Sequence, residues 1–156
     1  MLSKKVLSQI LKNNGIKDIS EVAFDLFNDI VSKISVEITS IAVKLTRLKG
    51  NKTIQKDSIK VGINNFLGKY PDNIESKMFP VSNIKDIMEK SNAKRVSKDA
   101  IDYINEIITW IAEEIALNAA KLTYNKKKKT VEEEEIKFST QKFLGKDEEK
   151  NKMEGI

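Results

Sequence analysis

The chain has 156 residues, a third of them charged, with 28 Lys and Arg against 23 Asp and Glu and a pI near 9.2. It contains no Cys and no His, which excludes disulfides, thiolate metal sites and histidine-based acid–base or metal chemistry. A chain of this size holds one core of moderate extent, and its net charge of +5 permits an anionic partner without requiring one.

Lys4 to Asn14 reads as a short amphipathic helix with Val6, Leu7, Ile10 and Leu11 inward, closed by Gly15 in the left-handed region. Lys is spaced through Met1 to Asn14 with no continuous apolar core, so the segment is not read as a signal peptide. Ile16 to Ile19 forms a short connection, and Ser20 caps a long helix running to Lys49. Its apolar stripe is Val22, Ala23, Leu26, Phe27, Ile30, Val31, Ile34, Ile38, Ala42 and Leu45. Gly50-Asn51 ends it. Lys52-Thr53-Ile54 is extended, and too short to be stable unless paired with another strand. A third helix starts at Asp57 or Ser58, passes through Ile59, Ile63 and Phe66-Leu67, and stops at Gly68.

Tyr70-Pro71-Asp72-Asn73 carries turn chemistry, with a linker to about Met78. Pro80 precedes a second short helix, Ser82 to Ser91. Ser97 then caps a second long helix, with Ile101, Ile104, Ile107, Ile108, Ile111, Ile115, Ala119 and Leu122 on one face. No Gly or Pro interrupts it before Lys126, which gives about 28 residues and roughly 42 Å. The run Lys126-Lys127-Lys128-Lys129 follows, then an extended Thr130-Val131 and a last helix from Glu132 to Leu144. Gly145 to Ile156 is polar and reads as a frayed end.

The second half repeats the first at an ungapped offset of roughly 77 residues. Ser20 falls on Ser97, Ile34 on Ile111, Glu37-Ile38 on Glu114-Ile115, Lys44-Leu45-Thr46 on Lys121-Leu122-Thr123, and Lys52-Thr53 on Lys129-Thr130. Phe66-Leu67-Gly68-Lys69 falls on Phe143-Leu144-Gly145-Lys146. This is a tandem duplication. Each repeat alone leaves a long apolar stripe open, so one intertwined unit is expected rather than two small domains. The charge is unequal: residues 1–77 hold the whole excess of +5, and residues 78–156 are neutral.

These elements and loops resemble the histone fold, archaeal histones in particular. In the second repeat the resemblance rests on Phe79-Pro80-Val81, on Ala93-Lys94-Arg95-Val96-Ser97-Lys98-Asp99-Ala100, and on Glu113-Glu114-Ile115-Ala116 with Ala119-Ala120-Lys121-Leu122. Lys128-Lys129-Thr130-Val131 completes it. In the first repeat it rests on Ile10-Leu11-Lys12-Asn13, Ala42-Val43-Lys44-Leu45 and Lys52-Thr53-Ile54, so that it covers about residues 4–69 and 79–146. The resemblance implies an all-α chain of two tandem histone folds, 1–69 and 79–146, joined by a 70–78 linker and followed by a 147–156 tail. Its repeats would embrace as an intramolecular pseudodimer, as in doublet histones, with antiparallel long helices and the first loop of each repeat beside the second loop of the other.

The same resemblance implies double-stranded DNA as partner, bound through phosphates and a minor-groove Arg without base reading. Lys94, Arg95 and Ser97 would meet Lys52 and Thr53 at one end. Lys17 and Ser20 would meet Lys126, Lys127, Lys128, Lys129 and Thr130 at the other. Several positions depart from the family. Asp18 replaces the second minor-groove Arg, and Gln9 and Asp86 stand where the short helices usually carry Arg, leaving Lys4, Lys5 or Lys12 to contact the central phosphates. A family Arg–Asp clamp on the second loop would survive as Lys128 with Glu135, but Asn51 and Ser58 remove it from the first repeat. Leu48 with Ser58, and Asn125 with Glu135, replace the His–Asp contact through which family dimers polymerise.

Taken alone, a Lys run such as 126–129 is more often a solvated loop than a binding site. Glu132 to Glu135 suit a helix start, and would either attract a basic partner or blunt the lysines. Trp110 lies off the main stripe and is expected half-buried against the short helices. Carboxylates are plentiful but none has a catalytic neighbour, so no enzyme, cofactor, metal or small-molecule substrate is expected. The sequence reading is an intracellular, chromosome- or nucleoid-associated architectural protein in the cytoplasm, free of membrane and open to self-association or other histone-fold chains. The alternative is a histone-fold scaffold that binds protein and has lost DNA contacts.

Overall fold

In the computed structural model, residues 1–69, 71, 74 and 76–145 are described. Their order is α1 (Lys4–Asn13), β1 (Asp18–Ile19), α2 (Glu21–Leu48), β2 (Thr53–Ile54) and α3 (Lys56–Leu67), followed by α4 (Val81–Lys90), β3 (Arg95–Val96), α5 (Lys98–Asn125), β4 (Thr130–Val131) and α6 (Glu133–Phe143). The second five elements repeat the first. The long helices, α2 and α5, have 28 residues each, the length expected from the absence of breakers. Both start under a serine cap: Ser20 Oγ accepts from Ala23 N at 3.1 Å and Ser97 Oγ from Ala100 N at 3.2 Å. Gly15, Gly50 and Gly68 lie at positive φ just past the helices they end.

The two-residue strands do not pair within a repeat. β1 runs parallel to β4, with Asp18 opposite Thr130 and Ile19 opposite Val131; β2 runs parallel to β3, with Thr53 opposite Arg95 and Ile54 opposite Val96. The cap residues extend both ladders, since Ser20 N donates to Val131 O and Ser97 N to Ile54 O, each at 3.0 Å. The start of each long helix therefore lies at the end of the other, which sets the two antiparallel. Where they converge, Ser35, Ile38 and Thr39 of α2 meet Ile59 of α3 and Ile104, Ile107 and Ile108 of α5. One continuous core results, drawing Phe27, Val31 and Ile38 from the first repeat and Ile108, Ile111 and Ile115 from the second.

The stripe differs from the sequence expectation at its margins. Val22 is 58% exposed, while Ile101 and Leu122 are only half-buried. Polar residues take inner positions instead: Asn28, Ser35, Thr39 and Thr46 of α2, and Asn105, Thr109 and Thr123 of α5, are buried. Most satisfy their hydroxyls on the carbonyl four residues back, as Thr46 does on Ala42 O at 2.8 Å and Thr123 on Ala119 O at 2.7 Å. Asn105 instead brackets the segment ahead of α4, accepting from Phe79 N at 3.0 Å and donating to Phe79 O at 2.7 Å. Its repeat counterpart Asn28 donates to Leu2 O at 3.3 Å, tethering the segment ahead of α1 in the same way.

Three boundaries move. α3 starts at Lys56 with Gln55 as cap, one turn position ahead of Asp57; α4 starts at Val81 directly on Pro80; and α6 starts at Glu133 with Glu132 as its cap. Trp110 is half-buried as expected, with Phe143 at the end of α6 edge-on to it at 5.2 Å between centroids. Lys69 crosses from the first repeat to the same place, donating to Phe143 O at 2.9 Å. The expected turn at Tyr70, Asp72 and Asn73 and the expected fraying of 147–156 fall outside the described residues. Among the described residues no helix is long and apolar enough to cross a membrane.

Candidate nucleic-acid interface

The two parallel bridges bring the charged loop residues together in two sets. At the first end, β2–β3 holds Lys52 and Thr53 beside Lys94 and Arg95; at the second, β1–β4 holds Lys17 and Asp18 beside Lys129 and Thr130. Each bridge floors a cleft. The first, about 440 Å³, is lined by Val43, Thr46, Ile54 and Ala93 below and by Arg47, Lys52, Lys94 and Arg95 at its edge. The second, about 340 Å³, is lined by Ile16, Ala120, Thr123 and Val131 below, with Lys17, Asp18, Tyr124, Lys128 and Lys129 around it.

Ser20 and Ser97 reach these ends through their backbone, because each hydroxyl caps its own helix. Ser97 also donates to the Asp99 carboxylate, which holds Asp99 below the ordinary carboxylate range. Lys4, Lys5 and Lys12 are exposed on α1, and none of them lines either cleft. Gln9 is exposed beside them, with its amide on Asn13 Oδ1 at 2.8 Å.

The four-lysine run is not uniformly free. Lys126 Nζ lies 3.2 Å from Glu134 and 3.0 Å from Glu135; Lys128 Nζ lies 3.4 Å from Glu134 and 2.9 Å from Glu135. Glu135 is fully buried and also accepts from Glu132 N at 2.9 Å. Burial alone would push its carboxyl up. The hydrogen bonds from Lys128, from the Glu132 amide and from Lys126 outweigh that, holding it down at about 2. The same bonds push both lysines above their ordinary value. Lys127, at positive φ, and Lys129 carry no such partner among the described residues and point from the loop as exposed cations.

The lysine–glutamate clamp expected at Lys128 is therefore present, and it occupies Lys128, one of the residues expected to reach phosphate. Lys126 joins it, so of the two outcomes expected for the Glu132 to Glu135 run, attracting a basic partner or blunting the lysines, the ion pairs show the second at Lys126 and Lys128. Arg47 was missed outright. It is exposed at the edge of the first cleft, with Nη2 3.2 Å from Asn92 O, but the repeat offset places it on Tyr124 and so hid it.

Residues 77–139 match the family model described as histone-like transcription factor (CBF/NF-Y) and archaeal histone. Among solved structures, the histone from Methanopyrus kandleri is similar at a TM-score of 0.71 and 22% identity, covering 89% of this chain and 93% of that one. The fold is the histone fold.

Proposed function

From a chain that carries the histone fold, and whose residues 77–139 match the model of histone-like transcription factors and archaeal histones, we propose a DNA-binding architectural protein. It holds double-stranded DNA through phosphates, without reading sequence, and bends or compacts it. No reaction is assigned to it. The nucleoid is the compartment this reading gives it.

The observation that carries the proposal is the β2–β3 bridge. It sets exposed Arg95 opposite Thr53, with Lys52 and Lys94 flanking, on a backbone fixed by the pairing of both repeats. Arg95 enters the minor groove, and the lysines neutralise phosphates on either side. At the opposite end Lys17, Lys127, Lys129 and Thr130 make a weaker contact; Ser97 presents a helix start at the first end and Ser20 at the second.

A second reading is a histone-fold protein scaffold, favoured by one specific feature. Asp18 occupies the position of Arg95 in the other repeat, and Glu134 and Glu135 take up two of the four loop lysines. A mobility shift on random linear duplex at two salt concentrations separates the readings. DNA binding is expected to weaken linearly in log salt, by about 0.9 per phosphate contact, and to be indifferent to sequence. Absent binding by a folded chain favours the scaffold; preference for one short site points to a sequence-reading factor.

A further inference from the structure

The two clefts are copies of one another. At the repeat offset, Val43, Thr46 and Ile54 under the first correspond to Ala120, Thr123 and Val131 under the second. Around the edges, Lys52 and Lys94 correspond to Lys129 and Lys17, but Arg47 corresponds to Tyr124, Asn51 to Lys128 and Arg95 to Asp18. The backbone frame is kept and the charges have diverged.

At the first cleft Arg47, Lys52, Lys94 and Arg95 converge, and none takes part in the ion pairs among the described residues. At the second, Lys128 is held by buried Glu135, and Asp18 stands exposed between Lys17 and Lys129. Tyr124, 82% exposed, offers no charge where Arg47 does. Loop sequences alone suggest balanced ends, one with an Arg and one with four lysines. The clamp removes that balance.

We propose that the first cleft is the dominant DNA anchor of this chain and that Arg47, a residue outside both loops, is a direct phosphate contact within it; this rests on the DNA-binding reading above. Arg47 is placed for that role by its bond to Asn92 O. Asn92 sits at φ +61 at the turn into Ala93-Lys94-Arg95, so the guanidinium lies against the backbone that presents the other two cations. Its remaining N–H donors are on an exposed side chain, which suits a fork that braces a loop and binds a phosphate oxygen together.

The test uses the full chain, random linear duplex and a salt series. Arg47→Ala should weaken binding on the order of tenfold at low salt and lower the salt slope by about 0.9, with Arg47→Lys recovering the slope. Tyr124→Ala, at the equivalent position, should change affinity less than twofold. Across the matched pairs, Lys52→Ala should cost more than Lys129→Ala, and Lys94→Ala more than Lys17→Ala. An Arg47→Ala chain that binds more weakly with an unchanged slope makes Arg47 a loop brace and overturns the contact. Equal losses across the matched pairs overturn the dominant end. If wild type binds and Arg95→Ala weakens it while Arg47→Ala does not, this inference fails and the DNA reading stands; a folded wild type that binds no duplex removes both.

Discussion

Lys128 Nζ stands 2.9 Å from Oε1 of Glu135, a carboxylate with no exposed surface at the start of α6. The contact ties the loop after α5, just ahead of Thr130-Val131, to the start of α6. Burial opposes ionisation of Glu135, but its hydrogen bonds hold it at about 2, below its ordinary value of 4.5. A carboxyl depressed on folding stabilises the fold fully above the ordinary value. That contribution is lost as the pH falls from 4.5 towards 2. Glu135→Gln should therefore destabilise the chain at neutral pH by about 2 kcal/mol, less than for a fully buried pair because both lysines reach water. Thermal melts of the two proteins should converge as the pH drops through that window. A gap that stays constant from pH 7 to pH 3 would show that the ionised pair is not what Glu135 contributes.

Gly62 and Ser139 occupy matching positions on α3 and α6, and they predict opposite outcomes. A Cβ at Gly62 would come within 2.7 Å of Ile38 O, a backbone atom of α2 that cannot move aside cheaply. Gly62→Ala should cost about 2–4 kcal/mol through overpacking, despite alanine's better helix propensity. Ser139 is buried, and its hydroxyl has no hydrogen-bond partner among the described residues. Ser139→Ala should be neutral or stabilising by up to about 1 kcal/mol. Denaturant melts of the two variants check both signs at once.

The pairing of each repeat's strands with those of the other predicts that neither repeat is autonomous. Residues 1–77 keep α1, α2 and α3, but β1 and β2 lose their partners, and Ser35, Ile38 and Thr39 lose the α5 residues they meet. Expressed alone, this half should be unfolded or self-associated. A monomer with a cooperative melt would contradict the intertwined core.

Much of this was legible in the sequence because it depends on period and punctuation. Ser20 and Ser97 capped the long helices as read, Gly15, Gly50 and Gly68 ended helices, and Thr53 and Thr130 fell in the bridges. What escaped depends on partners distant in the chain or on the far ends of long side chains. Asn28 and Asn105 look like surface residues on a helix, yet each is buried because a carbonyl from the segment ahead of a short helix needs a donor. Lys126 to Lys129 look alike in sequence, but Lys126 and Lys128 turn to Glu134 and Glu135 while Lys127 takes positive φ. Arg47 gave no signal, since neither loop contains it and its repeat partner is Tyr124.

The ends can be exchanged by mutation. Arg95 and Asp18 hold equivalent places in the two bridges, opposite Thr53 and Thr130, and both side chains are exposed, so substitution at either leaves the core untouched. Arg95→Ala should remove a groove and phosphate contact, on the order of 1–3 kcal/mol by analogy with a good Arg contact. Asp18→Arg should raise affinity instead, by removing a repulsive carboxylate and adding a cation between Lys17 and Lys129. Lys129→Ala should lower the salt slope by about one unit, whereas Lys128→Ala should act mainly on stability because its ammonium is held by Glu135. Each variant is melted first, then titrated with duplex at several salt concentrations. A folded Arg95→Ala chain with unaltered affinity would move the balance to the protein-scaffold reading, because the β2–β3 bridge would then present its cations to something other than DNA.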